Sequence, residues 1–305
     1  KIDVFIIIYL KMETKDNTLL DAIIKKILNC SGESTANLTE EEIKFLIEKS
    51  KEIFLAQPTL LNIKAPITVC GDIRGNLKSL KKVFEISGDT KDKSFIFLGN
   101  YVNRGNNSLE CLCLLLAYKI KYRDTFYLLR GHYDDGQLSK NYGFYQECQE
   151  KTSENIYEQI ALLLNCIPLA AVLDNKIFFV HGGISPKLNS LEQIRAIQRP
   201  IVVPKEGLVC DLIWSDPDKD MKDDWAESSR GAGKFFSEKP LVDFLEKNHF
   251  TMLCRGHTVI NEGYDYLWDK KLLTVFSSAK FCKCEGKGAI MEIDSNLKFE
   301  PQTWE

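Results

Sequence analysis

The stretch VCGDIRGNLKSL, Val69–Leu80, reads as an apolar strand running into a glycine-bracketed acidic turn and then a helix. Strand–turn–helix is the repeating unit of α/β folds, and the turns after the strands are where such folds build their sites. Asp72 sits where a metal ligand would sit. Arg74, two residues on, carries a guanidinium, which has donors but no lone pair for a cation.

The pattern recurs along the chain. ITVCGD, SFIFLGN, TFYLLRGH, KIFFVHGG and TMLCRGH are short apolar runs ended by glycine or a polar cluster. Helical stretches such as SLECLCLLLAYKIKY and NIYEQIALLLNCI lie between several of them. This alternation predicts an α/β domain. LLTVFSSAKF and GAIMEID have shorter connections and read as antiparallel, so a β-sandwich flanked by helices is expected. Before residue 65 the chain reads as helical: LLDAIIKKILNC has apolar residues at helical spacing, and LTEEEIKFLIEKSKEIFLAQ opens with a threonine cap and an acidic first turn.

The chain of 305 residues is 44% hydrophobic and 27% charged, enough for one domain with a full core. A net charge of −3 argues against a nucleic-acid partner. Ten cysteines, with Cys111 and Cys113 in an apolar run and Cys282 and Cys284 in a loop, read as thiols of a reducing compartment rather than as disulfides or a zinc knuckle. IDVFIIIYL is too short to span a bilayer and reads as an extra strand, a partner-docking segment or sequence upstream of a start at Met12. The expected organisation is an extension over 1–15, one domain over 16–300 with a helical part over 16–62, and a short end over 301–305. DPDKDMKDD reads as a solvated loop.

Polar residues collect after the strands: Asp72 and Arg74, Asn100, Asn103 and Arg104, His132-Tyr133-Asp134, His181 and His257. The chain has four histidines, and three of them follow apolar strands directly, while His249 lies in a polar turn. Any one alone is most simply a satisfied histidine. Three at equivalent strand ends point to a shared site.

In order along the chain, KSKEIFLAQPTLL, GDIRG, LGNYVNRG, LLRGHYDD, YGFYQEC, HGGISP, IWSDPD, RGHTVINEGY and FSSAKFC resemble segments of the metal-dependent serine/threonine phosphoprotein phosphatases, most closely the type 1 catalytic subunit. The likeness runs from about Leu20 to Asp294. It implies a calcineurin-like metallophosphoesterase fold and a two-metal site assembled from GDxHG, GDxVDRG, GNHE and two later histidines. In that family a bridging hydroxide attacks phosphorus and two arginines hold the phosphate.

Carried over by residue, Asp72, His181 and His257 match metal ligands. Arg74 stands in place of a ligand histidine, and Asn100 in place of the bridging aspartate. Asn103 replaces the aspartate that supports the catalytic acid. In GNHE the asparagine ligand becomes His132, the acidic histidine Tyr133 and the glutamate Asp134. Arg104 and Arg230 match the phosphate-holding arginines, and Phe281 stands where the loop over the site carries a phenol.

These departures carry an expectation. Arg74 pairs with Asp72 and stands in for the first metal; the alternative is that it swings out to solvent. No cofactor is the leading expectation, and the alternative is one zinc or manganese ion held by Asn100, His132, His181 and His257. Losing the bridging carboxylate, the acid and its support removes about two orders of magnitude or more each. The expected function is a catalytically inactive pseudophosphatase serving as a scaffold, regulatory or structural component. The alternatives are a weak phosphatase using one ion on three histidines, and a phosphopeptide reader. Arg104 and Arg230 serve that reader or form salt bridges to the Asp-rich loops. The resemblance also implies a groove for RVxF-like peptides at Ile177, Met252, Tyr266, Met291 and Leu297, with core packing as the simpler reading and Pro301 where the family has an aromatic. A cytoplasmic location is expected, with nuclear or cytoskeletal assemblies as alternatives, and neither nucleic acid nor membrane as partner.

Overall fold

The computed structural model describes residues 4–31, 35–88, 90–283 and 285–305. Two helices, α1 (Val4–Asn29) and α2 (Glu40–Ala56), precede the strands β1 (Leu60–Ile63) and β2 (Ile67–Cys70). Then come α3 (Leu77–Ser87), β3 (Phe95–Phe97), α4 (Ser108–Lys121), β4 (Phe126–Leu128), α5 (Phe144–Lys151) and α6 (Glu154–Leu164). The middle contains β5 (Ala170–Leu173), β6 (Ile177–Val180), α7 (Leu191–Arg195), α8 (Leu208–Trp214), β7 (Asp216–Pro217), β8 (Trp225–Glu227) and β9 (Lys234–Phe236). The chain closes with α9 (Glu238–Asn248), β10 (Met252–Arg255), β11 (Tyr264–Leu267), β12 (Leu272–Val275), β13 (Gly288–Ile293) and β14 (Phe299–Trp304).

Two sheets face each other, ordered β1-β5-β6-β10-β12-β11 and β14-β13-β2-β3-β4, and β7-β9-β8 form a small third sheet. Alternate residues of each strand point to opposite faces, and this divides the core into layers. Val69 of β2, Ile96 of β3, Phe179 of β6 and Cys254 of β10 meet between the sheets. Cys70, Phe95 and Phe97, one position away, pack against α1, α2 and α4. Phe178, Val180 and Leu253 pack against α8 and α9. Both faces of both sheets are covered, which is why the strands read as continuous apolar runs. The expected flanked β-sandwich is the observed architecture.

Several boundaries differ from the expectation. From Val4 the N-terminal apolar segment is helical and continuous with α1, so it adds no strand and residues 15 and 16 fall within one helix. The helical part ends at Ala56, because LLNI pairs with β5 as β1. Residues 301–304 belong to β14, paired with β13. The presumed groove is largely interior: Ile177 and Met291 have no exposed surface and Met252 is buried, each packed between the sheets, and only Tyr266 and Leu297 are half-buried. Of the loop pair of cysteines, Cys282 is exposed and Cys284 lies outside the described residues.

The cap read at Thr39 is a full capping box: its hydroxyl accepts from the Glu42 N–H at 3.2 Å and the Glu42 carboxylate accepts from the Thr39 N–H at 2.9 Å. Glu42 also pairs with Lys26 of α1, so the box anchors both helices. Thr39→Ala is expected to lower stability by ~1 kcal/mol, read as a shift of the urea midpoint at constant m.

Candidate functional site

The parallel strands β2, β3 and β4 of one sheet and β6, β10 and β12 of the other end in the same place. A bridge between Asp72 and Phe276 ties the two sheets there. The turns beyond those ends deliver Asp72, Asn100, His132, His181, His257 and Phe276 to one buried cluster. Five residues take left-handed backbone conformations to do so: Arg74 (φ 50°), Asn100 (60°), Asn103 (72°), Arg104 (72°) and His257 (75°). Such positions cost about 1–3 kcal/mol each for side chains without local compensation, and they concentrate at sites. Gly256 explains the glycine before His257: a Cβ there would lie 2.6 Å from the Asp72 carboxylate.

At the first metal position Arg74 turns inward. Its Nε donates to Asp72 Oδ2 at 2.9 Å, and Nη2 lies 2.8 Å from the same oxygen and donates to the His257 carbonyl at 2.8 Å. The guanidinium is walled by three aromatic rings, Phe281 at 4.8 Å and Phe276 and Tyr133 at 5.3 Å. Such a cage holds a cation by the negative faces of the rings. Asn100 Nδ2 donates to Asp72 Oδ2 at 2.6 Å and the His257 N–H donates to Oδ1 at 2.9 Å. Burial alone would raise the Asp72 carboxyl, but Arg74, His181 and these hydrogen bonds hold it below its usual range. Its oxygens are committed to donors, so these residues do not fit a metal ion at this position. The solvent-facing alternative for Arg74 is excluded, since the residue is buried.

The second position differs. His132 Nδ1 lies 3.0 Å from His181 Nε2 and 2.8 Å from His257 Nδ1. His181 Nδ1 faces the Leu98 carbonyl at 2.7 Å and His257 Nε2 faces the Trp214 carbonyl at 3.2 Å. A carbonyl only accepts, so both hydrogens point outward and both inner nitrogens present lone pairs. His132 Nδ1 adds either one proton, enough for one neighbour, or a third lone pair that accepts from Asn100 at 3.2 Å. Either way lone pairs oppose each other at hydrogen-bond distance, an arrangement that a cation relieves. All three imidazoles are buried and titrate low: burial is the main cause, and arginines add to it, as do neighbouring imidazoles at His132 and His257, while Asp72 and the Leu98 carbonyl oppose it at His181. His181 is brought down to about 4. Among the described residues these three histidines form the cluster whose nitrogens all lie within 4.8 Å of one another. The donor set fits one ion of the zinc class.

Asn100 does not join that set, contrary to expectation. Its Oδ1 accepts from the Tyr133 N–H at 2.8 Å while its amide nitrogen faces the Asp72 carboxylate. Turning the amide over would set oxygen against oxygen and N–H against N–H, so the orientation is determined by its partners.

The remaining matched residues are engaged elsewhere. Asn103 donates to the Tyr133 carbonyl at 3.1 Å and holds the loop rather than the Tyr133 side chain. The Tyr133 hydroxyl accepts from Arg104 Nε at 2.9 Å, and the Arg104 guanidinium lies 4.4 Å over the Tyr142 ring. Arg230 pairs with Asp216 at 2.5 Å, and Arg255 pairs with the same carboxylate at 2.9 Å. Asp216, the first residue of the acidic run, is therefore a buried ion-pair partner rather than part of a solvated loop. The salt-bridge reading of Arg230 describes the structure, and Arg104 instead rests on tyrosines. Asp134 accepts from the backbone N–H groups of Asn100, Gly131 and Tyr101 at 2.7–2.9 Å and binds the ends of β3 and β4 together. His249 is remote, the left-handed cap of α9. Sequence reasoning missed Trp214, whose ring lies 4.5 Å from that of His132 at a 45° tilt, as well as Tyr142, Phe276 and Arg255. All four lie inside segments that carried the resemblance, but no spacing rule brings them to this site.

Over residues 65–261, about two thirds of the chain, the sequence matches the profile of the calcineurin-like phosphoesterases. The chain belongs to that family. Residues 20–64 match the N-terminal domain of serine-threonine protein phosphatases. Among solved structures, a protein serine/threonine phosphatase from Saccharomyces cerevisiae, described as similar to human phosphatase PP5, superposes with a TM-score of 0.83 at 25% identity. That alignment covers 88% of this chain and 90% of the yeast one. A cold-active protein-tyrosine phosphatase from a psychrophilic Shewanella superposes with a TM-score of 0.59 at 17% identity, over 83% of this chain and 84% of that one, and shares the fold. The family uses metals, and the three-histidine cluster is where this member retains a set of donors able to hold one. No helix among the described residues is long and apolar enough to cross a membrane.

Proposed function

We propose that this chain is a pseudophosphatase, nearest in its motifs to the type 1 serine/threonine phosphatases, that serves as a scaffold, regulatory or structural component of a protein complex. The observation that carries the reading is Arg74, seated in an aromatic cage with its guanidinium 2.8 Å from the Asp72 carboxylate. A fixed cation there leaves no position for the second of two ions, so the two-metal clamp on a transferring phosphoryl group is not assembled. Tyr133 in the place of an imidazole acid, its hydroxyl already tied to Arg104, removes proton delivery to the leaving alkoxide.

A second reading rests on the converging lone pairs. His132, His181 and His257 would hold a single zinc or manganese ion, which supplies Lewis-acid polarisation of a phosphoryl oxygen when bound. This keeps a weak phosphatase as the competing function. A short extended peptide remains the proposed partner, with Tyr266 and Leu297 as the accessible part of its groove.

Metal analysis of the purified chain, dialysed against zinc or manganese, tests both readings together with hydrolysis of p-nitrophenyl phosphate. At most one ion per chain is expected, lost in His132→Ala, with no hydrolysis above background. Two ions per chain, or turnover abolished by His132→Ala, would overturn the pseudophosphatase reading.

A further inference from the structure

Asn100 touches both halves of the site. It lies three residues beyond the end of β3, in a left-handed backbone conformation (φ 60°) that asparagine and aspartate tolerate. Its amide is held at both ends. Oδ1 accepts from the Tyr133 N–H at 2.8 Å, and Nδ2 donates to Asp72 Oδ2 at 2.6 Å. The side chain is fully buried, so it has no solvent to turn into.

An amide nitrogen carries two hydrogens and offers no lone pair. One hydrogen goes to Asp72, and the other faces His132 Nδ1 at 3.2 Å. Nδ1 therefore accepts, and the hydrogen of neutral His132 sits on Nε2. This selects between the two tautomers that the neighbouring histidines alone leave open. The His132 lone pair then joins those of His181 Nε2 and His257 Nδ1, whose outer nitrogens face the Leu98 and Trp214 carbonyls. Asn100 thus turns hydrogen, not oxygen, toward the cluster.

We propose that Asn100 is the residue that sets which ion this pocket accepts. It positions His132 in the ligating tautomer and, by withholding its oxygen, restricts the pocket to one ion of the zinc class. The inference rests on the three-histidine reading above. Imidazole nitrogens suit zinc, whereas manganese and magnesium prefer carboxylate, carbonyl and water oxygens. The Asn100 oxygen is spent on the Tyr133 backbone. The Asp72 oxygens are spent on Arg74, Asn100 and the His257 N–H. Neither side chain has an oxygen left for an oxygen-seeking ion.

Competition titration of the full metal-free chain with zinc and manganese, set against Asn100→Asp, reads the effect. The wild-type chain is expected to take up one zinc and to prefer it over manganese. In Asn100→Asp an oxygen replaces the N–H that faces His132. Manganese affinity should then rise relative to zinc by at least about tenfold, the scale on which neighbouring groups tune metal affinity. Arg74 is kept, so the stoichiometry stays at one ion. A residue that only held the turns together would weaken both ions alike and leave their ratio unchanged. A second measurement needs no substitution: nitrogen-15 shifts of the histidines in metal-free wild type should show His132 protonated on Nε2 and bare on Nδ1. No zinc uptake by the wild-type chain, or uptake that His132→Ala leaves intact, would overturn the three-histidine reading and this inference with it. Zinc binding with an unchanged zinc-to-manganese ratio in Asn100→Asp, or a hydrogen on His132 Nδ1, would overturn the inference alone.

Discussion

Arg74→Ala is expected to lower the free energy of unfolding by ~3–5 kcal/mol, the usual consequence of removing one partner from a buried ion pair. The Arg74 side chain is 7% exposed and Asp72 is fully enclosed. Without the guanidinium, Asp72 keeps the Asn100 amide and the His257 N–H but has no counter-charge in direct contact, and the cage of Tyr133, Phe276 and Phe281 surrounds empty space. The double variant Arg74→Met, Asp72→Asn removes both charges and should recover most of the loss, because the penalty belongs to the uncompensated carboxylate. Urea unfolding of the two variants decides it. A loss below about 1 kcal/mol in Arg74→Ala would mean that the pair contributes no more than a surface contact.

Restoring the family's residues probes the same pair from the other side. Arg74→His combined with Asn100→Asp, Asn103→Asp and Tyr133→His exchanges the fixed cation for ligands and carboxylates. Metal uptake above one ion per chain is the expected result. If the quadruple variant folds and takes up none, the account of Arg74 as a substitute ion fails.

Acid is the second large effect. In metal-free protein the three clustered imidazoles stay neutral chiefly because they are buried, His181 down to about pH 4 and the other two held well below their ordinary range. In the unfolded chain each takes up its proton near pH 6.5. A folded value below the unfolded one gives stability that is complete above about pH 6.5 and is lost as the pH falls below it. Each histidine contributes a slope of about 1.4 kcal/mol per pH unit, so three give roughly 4 kcal/mol per unit at the steepest. That consumes an ordinary domain's stability within two or three pH units. Denaturant midpoints of chelator-treated protein between pH 7 and pH 5 should therefore fall steeply, and His132→Gln should reduce the slope by about a third. A flat profile would show that the imidazoles are not held neutral together.

The order of strands and helices was legible because strands buried on both faces read as unbroken apolar runs, each closed by a glycine. Short strands were not: LLNI becomes β1 only by pairing with AAVL of β5, which lies between it and β6, and β14 is a strand only because β13 lies beside it. The same division holds at the site. Sequence alone placed Asp72, Arg74, His132, His181 and His257 at strand ends and showed which chemistry had been exchanged. It could not show that the Asn100 oxygen turns away to the Tyr133 N–H, that Arg230 and Arg255 share Asp216, or that Phe276 and Phe281 close over Arg74. Residue type and spacing along a strand are local properties that a chain carries before it folds. The partner of a buried amide or guanidinium is chosen among groups as far apart as 183 positions, as Arg74 and the His257 carbonyl are, and only the packing of the two sheets brings such groups within reach.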